Sequence, residues 1–330
     1  MPVKQTLTVD GKELTLSSLD KIFYEDGFTK GQVIDYYIRI APVLLPHIAN
    51  RAMSLKRYPH GAAGTFFYQK ECPANRPHWF STAPIWSDSR GKPINFCLID
   101  SLPALIWAAN MSVLELHPSL SAIPSVSCPT ALVFDLDPGE PASIIECCET
   151  GLLLRSVLAA HGLASYPKTS GSKGLQIYAP LNTDCTYQQT KNFARELAQA
   201  MEKARPDLIV SKMRKNLRRG KIFIDWSQND EHKTTVAVYS LRARQRPAVS
   251  TPVSWDEITA VHKSRDPRLL DFSAPEVLKR VERHGDLFQA VLTQRQHLPG
   301  SKSKTAVGAT AVENPAIFTE SDYQSDTFPH

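Results

Sequence analysis

The sequence contains no apolar run near the roughly 18 residues that a helical membrane span requires, so no spanning segment is expected in its 330 residues. It has six cysteines, Cys72, Cys97, Cys128, Cys147, Cys148 and Cys185, but no CxxC pair and no metal-finger spacing among them. With no recognisable signal peptide either, all six are expected to be reduced thiols in a soluble cytoplasmic protein. Internal repeats are absent, as is any composition break that would demand separate domains. Charge of one sign is in modest excess. A net +5 and a pI near 8.8 permit a nucleic-acid partner without arguing for one. What remains is an ordinary globular composition, 42% hydrophobic and 22% charged, long enough to bury a sizeable core.

Against that background one stretch stands out, LVFDLDPG from Leu132 to Gly139. Its carboxylates, Asp135 and Asp137, lie two apart in an apolar run, so in a strand they project from one face. Two like charges buried side by side need a cation or hydrogen bonds to compensate them. A hard divalent ion such as Mg²⁺ or Mn²⁺ suits carboxylate oxygens. Asp-Pro-Gly is also good turn chemistry, so a strand end capped by its aspartates is the competing explanation. A third carboxylate, Asp225, sits among apolar residues in the strand-like stretch 222–226 and needs a partner if buried. Three aspartates on two strands are the minimum for a two-metal site that clamps a phosphoryl group.

The remaining pattern alternates strands with amphipathic helices. Residues 4–9 turn at Asp10 and Gly11 into 13–16, a hairpin. Thr29 is placed to cap a helix over 30–48 with Val33, Tyr37, Ile40 and Leu44 inward; Pro42 and Pro46 are expected to kink it or end it early. A strand from Met53, a turn at 59–64 and a second strand at 66–68 put Phe66, Phe67 and Tyr68 among Lys56, Arg57 and Lys70. Such a hairpin is either a stacking platform for bases or a buried aromatic face with snorkelling lysines. Further strands are expected at 94–100, 113–118, 164–167, 175–179 and 236–241, and helices at 101–111, 142–161 and 186–204. The 142–161 helix is expected to bury Ile145, Cys148, Leu152, Val157 and Leu158, and the 186–204 helix Phe193, Leu197, Ala200 and Met201. The loop 168–174 is small, glycine-rich and basic, able to wrap an anion or to be a plain surface turn. It lacks P-loop spacing, and a strand follows it. Positive charge is densest at 212–221, and Arg242, Arg244 and Arg246 suit bidentate phosphate contacts.

Taken together these stretches resemble the polymerase domain of bacterial ligase D, in the archaeo-eukaryotic primase superfamily that serves non-homologous end joining. The motifs carrying the resemblance are FDLDPG at 134–139, TSGSKGL at 169–175 and IDWSQN at 224–229. LDKIFY at 19–24, ELH at 115–117, KTT at 233–235 and YSLR at 239–242 support them, in matching order over residues 5–295. The resemblance implies an α/β (α+β) primase-polymerase fold, with mixed and antiparallel sheets forming a central catalytic cleft flanked by helices. It implies one domain over 1–297, with DNA-end-binding elements in about 1–90 and a catalytic core in about 91–297, before a disordered tail at 298–330.

The activity implied is template-dependent nucleotidyl transfer, with a ribonucleotide preference, filling gaps and extending ends at double-strand breaks. Asp135, Asp137 and Asp225 would hold two Mn²⁺ or Mg²⁺ ions, with His117 as a catalytic neighbour. Ser170, Ser172, Lys173, Gln176, Arg242 and Arg244 would hold the incoming NTP or dNTP. Phe67 and Tyr68 would stack on template DNA, Lys21 and Lys30 would bind the 5′-phosphate, and Lys56, Lys70 and Arg218 would line the approach. A Ku-like end-binding protein and a separate ATP-dependent ligase are the implied companions, with no membrane partner. Two residues depart from the family pattern: Gln176 stands where histidine is usual, and Ser18 where asparagine is common. Glutamine keeps a donor but carries no charge, so the alternative is a catalytically impaired DNA-end-binding member. A two-metal nuclease is the other alternative, and the serine-lysine loop speaks against it because a nuclease has no triphosphate to cradle. No KxDG-type lysine motif and no phosphoesterase-like segment are present, so a stand-alone polymerase domain is expected.

Overall fold

Ala131–Pro138 is the middle strand of a five-stranded sheet in the computed structural model, which describes residues 4–300. The order is Ile209–Val210, Ile222–Asp225, Ala131–Pro138, Leu175–Pro180, Tyr166–Thr169. Only the short pairing of Ile209–Val210 with Ile222–Asp225 is parallel. Alternation along the middle strand is clean. Leu132, Phe134 and Leu136 join one hydrophobic core with the helices Ile144–Ala160 and Tyr187–Ala204, while Ala131 and Val133 join another. Asp135 and Asp137 continue that second face.

The second core is built on a sheet ordered Phe67–Gln69, Met53–Arg57, Lys92–Cys97, Thr82–Ser87, with Val113–Pro118 also paired along Met53–Arg57. Helices Lys30–Ile48 and Leu102–Asn110 pack into it. This core includes residues on both sides of residue 90, from Leu14 to Phe288. The segment between the two sheets stitches them together: Ala237 N–H donates to Leu116 O at 2.8 Å, and Leu116 N–H to Ser240 Oγ at 2.9 Å. Those bonds explain one correction. The stretch 236–241 is not a regular strand, because its backbone groups are spent on Leu116 and Ser250 and Tyr239 turns at φ 64°. The strand begins only at Leu241–Ala243.

The first helix is a second correction. Lys30–Ile48 runs through Pro42 and Pro46 and does not end early. Thr29 and Gln32 form a capping box at its start, and Val33, Ile40, Leu44 and Ile48 are fully buried along one face. That burial offsets the hydrogen bonds the two prolines forgo. Of the two expected inward stripes, Cys148, Leu158, Leu197 and Met201 are buried, and Ile145, Leu152, Val157 and Phe193 are half-buried against the same core. Ile144–Ala160 buries Cys147, Cys148, Gly151, Leu154 and Leu158, and Tyr187–Ala204 buries Thr190, Ala194, Leu197, Ala198 and Met201. Ala200 is exposed.

Cysteine chemistry is a further correction. Cys72 and Cys97 are joined in a disulfide, while Cys128, Cys147, Cys148 and Cys185 are free. Cys72 N–H bonds Asn95 O at 2.7 Å and Glu71 bridges Phe96, so the chain is laid against the Lys92–Cys97 strand with the two Cα atoms 4.9 Å apart. A separation of 25 residues carries no hint of that contact. Leu298, at the start of the expected tail, is buried in the core around the central sheet; residues 301–330 of that tail lie outside the described residues. Among the described residues no helix is long and apolar enough to cross a membrane.

Candidate active site

Strand register assembles the site. Asp225 lies directly across from Asp135, Asp135 across from Gln176, and Gln176 across from Lys168. The four form one row over four strands and share a face, and Asp137 joins them two residues along the middle strand. The IDWSQN motif has a local reason. Beyond Asp225 the chain leaves the strand, and the buried amide of Asn229 takes over its pairing, bonding Val133 N–H at 2.9 Å and Val133 O at 2.7 Å.

Electrostatics crowd the carboxylates of this row. Burial raises the pKa of Asp135 well above the usual carboxylate range, and Asp137 and Asp225 add to the rise against Gln176 and Lys168. Burial and then Asp225 push Asp137 up too, opposed by Arg218 and Arg242. Asp135 Oδ1 is buried without a hydrogen-bond partner. Asp225 is turned to its own turn, accepting from Ser227 N–H at 2.9 Å and Gln228 Nε2 at 3.1 Å. Among the described residues no group of three or more His, Cys, Asp or Glu side chains stands at chelating positions. An orphaned buried carboxylate oxygen beside two further carboxylates fits a hard divalent cation in its donor chemistry.

Beside the row lies the 169–175 loop. Ser170 Oγ accepts from Ser172 N–H at 3.2 Å and Gly174 N–H at 3.1 Å, which closes the turn. Gly174 packs flat on the middle strand; a Cβ there would lie 2.4 Å from Leu136 O. Arg242 donates to Ser170 O at 2.6 Å and Arg244 to Ser172 Oγ at 2.9 Å, so both arginines are aligned along the loop. Lys173 is exposed and paired with the exposed Glu140 at 2.7 Å. Cavities of about 310 Å³ and 500 Å³ open on either side of Gly171 and Ser172.

Phe66, Phe67 and Tyr68 are exposed, Tyr68 by 55%, which favours the platform over the buried-face explanation. Lys56 lies beneath them, turned to Glu115, whereas Lys70 is exposed. His117 is buried against Glu115 and Tyr68, and burial lowers its pKa. Arg218 stacks over Phe223 at 3.7 Å. Lys21 and Lys30 are brought together by the turn at Gly27, where Ile22 bridges Thr29. Lys21 Nζ bonds Pro59 O, and Lys30 is 4% exposed with its ammonium on Ser17 O and Asn110 Oδ1. Ser18 next to it has φ 55°, a left-handed conformation that asparagine adopts more readily than serine.

Sequence reasoning missed Lys168 and Glu115. Lys168 is fully buried, its Nζ held by Ser250 Oγ at 2.7 Å and Val236 O at 3.1 Å. Burial lowers its pKa well below the usual lysine value, and Asp135 opposes the fall. The signal that picked out Asp225, a charge inside an apolar strand, was present for Glu115 in VLELHP.

Three carboxylates on one sheet face thus lie beside the Ser170 loop, along which two arginines are aligned. The chain belongs to the LigD primase-polymerase domain family, whose profile matches residues 29–288. The multifunctional non-homologous end joining protein LigD of Mycolicibacterium smegmatis is 39% identical over 279 residues, 84% of this chain and 36% of that protein. The bifunctional non-homologous end joining protein LigD of Bacillus subtilis is 32% identical over 275 residues, 83% of this chain and 43% of that protein. The chain thus spans less than half the length of these relatives. Among solved structures, the polymerase domain of Mycobacterium tuberculosis ligase D in complex with DNA superposes with a TM-score of 0.79 at 39% identity, covering 86% of this chain and 99% of that one.

Proposed function

We propose that this chain is a template-dependent polymerase that fills gaps and extends broken DNA ends in non-homologous end joining, with a preference for ribonucleotides. The observation that carries the proposal is the orphaned Asp135 oxygen facing Asp137 and Asp225 beside the Ser170 loop. Asp135, Asp137 and Asp225 would hold two Mn²⁺ or Mg²⁺ ions, which supply charge neutralisation at the phosphoryl group and its leaving pyrophosphate. The protein's own share is positioning. Ser170 shapes the loop, Ser172 and Lys173 face the triphosphate, and Arg242 and Arg244 bring guanidinium groups to its phosphates. Lys173 must exchange Glu140 for phosphate, a small cost for a pair so exposed. Phe67 and Tyr68 stack on the template, with Lys56, Lys70 and Arg218 along the DNA path. A single domain over 1–297, cytoplasmic residence, and cooperation with Ku and a separate ligase belong to the same proposal.

The experiment is primer extension on a gapped, 5′-phosphorylated duplex with Mn²⁺, comparing ribo- and deoxyribonucleotides. Wild-type protein is expected to extend, and Gln176→His to change the rate by less than about tenfold, the scale of one hydrogen-bond donor's energy. Gln176 keeps a donor at that position, and its amide donates to Thr235 Oγ1 at 3.1 Å. No wild-type extension, restored by histidine, would instead establish the impaired DNA-end-binding reading.

End recognition has its own pH signature. Burial, with Lys21 nearby, lowers Lys30 to about 8. Its charge, present at pH 7, is lost as pH rises through that value. The preference for a 5′-phosphorylated over an unphosphorylated gap is therefore expected to fall between about pH 7 and 9. In a Lys21→Ala, Lys30→Met double variant both the preference and its pH dependence should vanish. An unchanged preference in competition binding would sink this assignment.

A further inference from the structure

Glu115 is a buried carboxylate between the aromatic platform and the Ser170 loop. It is 2% exposed and accepts from Tyr58 Oη at 3.0 Å, His117 Nε2 at 3.0 Å and Ala243 N–H at 3.2 Å. Two cations lean on the same group, Arg242 Nε at 3.3 Å and Lys56 Nζ at 3.6 Å. Burial pushes its carboxyl up, but His117, Arg242 and Lys56 outweigh that and hold it well below the usual carboxylate range. Glu115 is therefore an anion, and its neutral neighbour His117 must present Nε2–H to it.

These partners belong to two surfaces. Lys56 lies under the aromatic platform, its ammonium 4.0 Å from the centre of the Phe66 ring and 5.5 Å from that of Tyr68. Tyr68 packs edge-on against His117 at 5.8 Å. Arg242 reaches the other way and grips Ser170 O. Its Nε makes no hydrogen bond, so charge rather than directed bonding ties the guanidinium to Glu115. A phosphate could outbid such a tie.

We infer that Glu115 is a positioning residue that couples stacking of the template base to binding of the triphosphate, an inference that rests on the polymerase reading above. One carboxylate divides its field between Lys56 and Arg242. When a triphosphate draws Arg242 away, Glu115 holds Lys56, Tyr58 and His117 more firmly and fixes the platform. When a base stacks on the platform and fixes Lys56 against Glu115, Arg242 is more weakly held and turns more readily to phosphate. Linkage makes the two effects equal.

The test uses inorganic tripolyphosphate with Mn²⁺, because it has no base to pair with the template and any coupling must run through the protein. Its Kd is measured on complexes with two gapped duplexes of equal charge, one with 2-aminopurine at the templating position and one abasic there. Wild-type protein is expected to bind tripolyphosphate about fivefold tighter on the 2-aminopurine duplex. Glu115→Gln, which keeps the shape and an acceptor but not the charge, should bring that ratio close to one. Lys56→Met cuts the same link from the platform side and should do likewise; it decides alone if Glu115→Gln does not fold. A wild-type ratio of one, or a ratio unchanged in both variants, overturns the coupling while leaving the polymerase reading intact. Wild-type protein that binds neither duplex nor tripolyphosphate overturns both, and is distinguished because binding itself is missing rather than the ratio.

Discussion

Asp137→Ala is expected to lower nucleotide addition by at least ~10³-fold, the scale of removing one preorganised charged group from a reaction centre. Duplex binding should stay within about twofold, since the contacts proposed for DNA are mainly stacking on Phe67 and Tyr68 and phosphate contacts through lysines, none of which involves this carboxylate. Thermal stability provides the decisive control. Asp137 raises the pKa of Asp135, and Asp225 raises that of Asp137, so the three carboxylates repel one another in the folded protein. Removing one should raise Tm, by ~2–4 °C for each kcal/mol of repulsion relieved. Lost activity with a higher Tm is the signature of a residue kept for chemistry. Lost activity with a lower Tm and lost DNA binding would make Asp137 a structural strut, and the two measurements together separate the cases.

The second large effect is expected from Gly139→Ala, one methyl group at the end of the same strand. A Cβ at Gly139 would lie 1.9 Å from the carbonyl oxygen of Arg218 and 2.6 Å from its carbon, both backbone atoms that no rotamer change can move. The approach is close because Gly139 N–H donates to Lys221 O at 2.9 Å and Gly139 O accepts from Gly220 N–H at 2.9 Å. Relieving the clash means displacing the 218–221 turn from the strand. A destabilisation of about 3 kcal/mol, at the upper end of overpacking effects, is expected, with a Tm fall of roughly 6–12 °C in a chain of this size. Activity should fall beyond what stability explains, because the same turn carries Arg218, which opposes the raised pKa of Asp137. A variant with wild-type Tm and extension rate would show that the turn is not fixed against the strand.

These expectations separate what sequence alone conveys from what required the folded chain. Asp135 and Asp137 were legible because a strand has period two and an apolar run does not hold carboxylates without reason. The 169–175 loop and the arginines were legible through composition. The helix start at Thr29 was legible because capping is local chemistry. Most of the inward stripes of Ile144–Ala160 and Tyr187–Ala204 was legible, with Cys148, Leu158, Leu197 and Met201 buried, but the exposure of Ala200 was not. Nor was the failed strand at 236–241, whose backbone bonds go to residues far along the chain.

The sequence by itself determined the inventory of this protein: three aspartates in apolar strands, a small basic loop, aromatics among lysines, and the caps and turns that space them. Residue type and local periodicity suffice for that, because they act over a few positions. Only the tertiary structure decided who meets whom. Register across four strands placed Gln176 between Asp135 and Lys168, the laying of residues 71–72 on the Lys92–Cys97 strand joined Cys72 to Cys97, and strand pairing buried Glu115 among Lys56, His117 and Arg242. Most of those partners, Lys168 and His117 excepted, lie tens of residues or more apart along the chain. These contacts exist only once the strands have paired in register, so no short-range pattern could encode them.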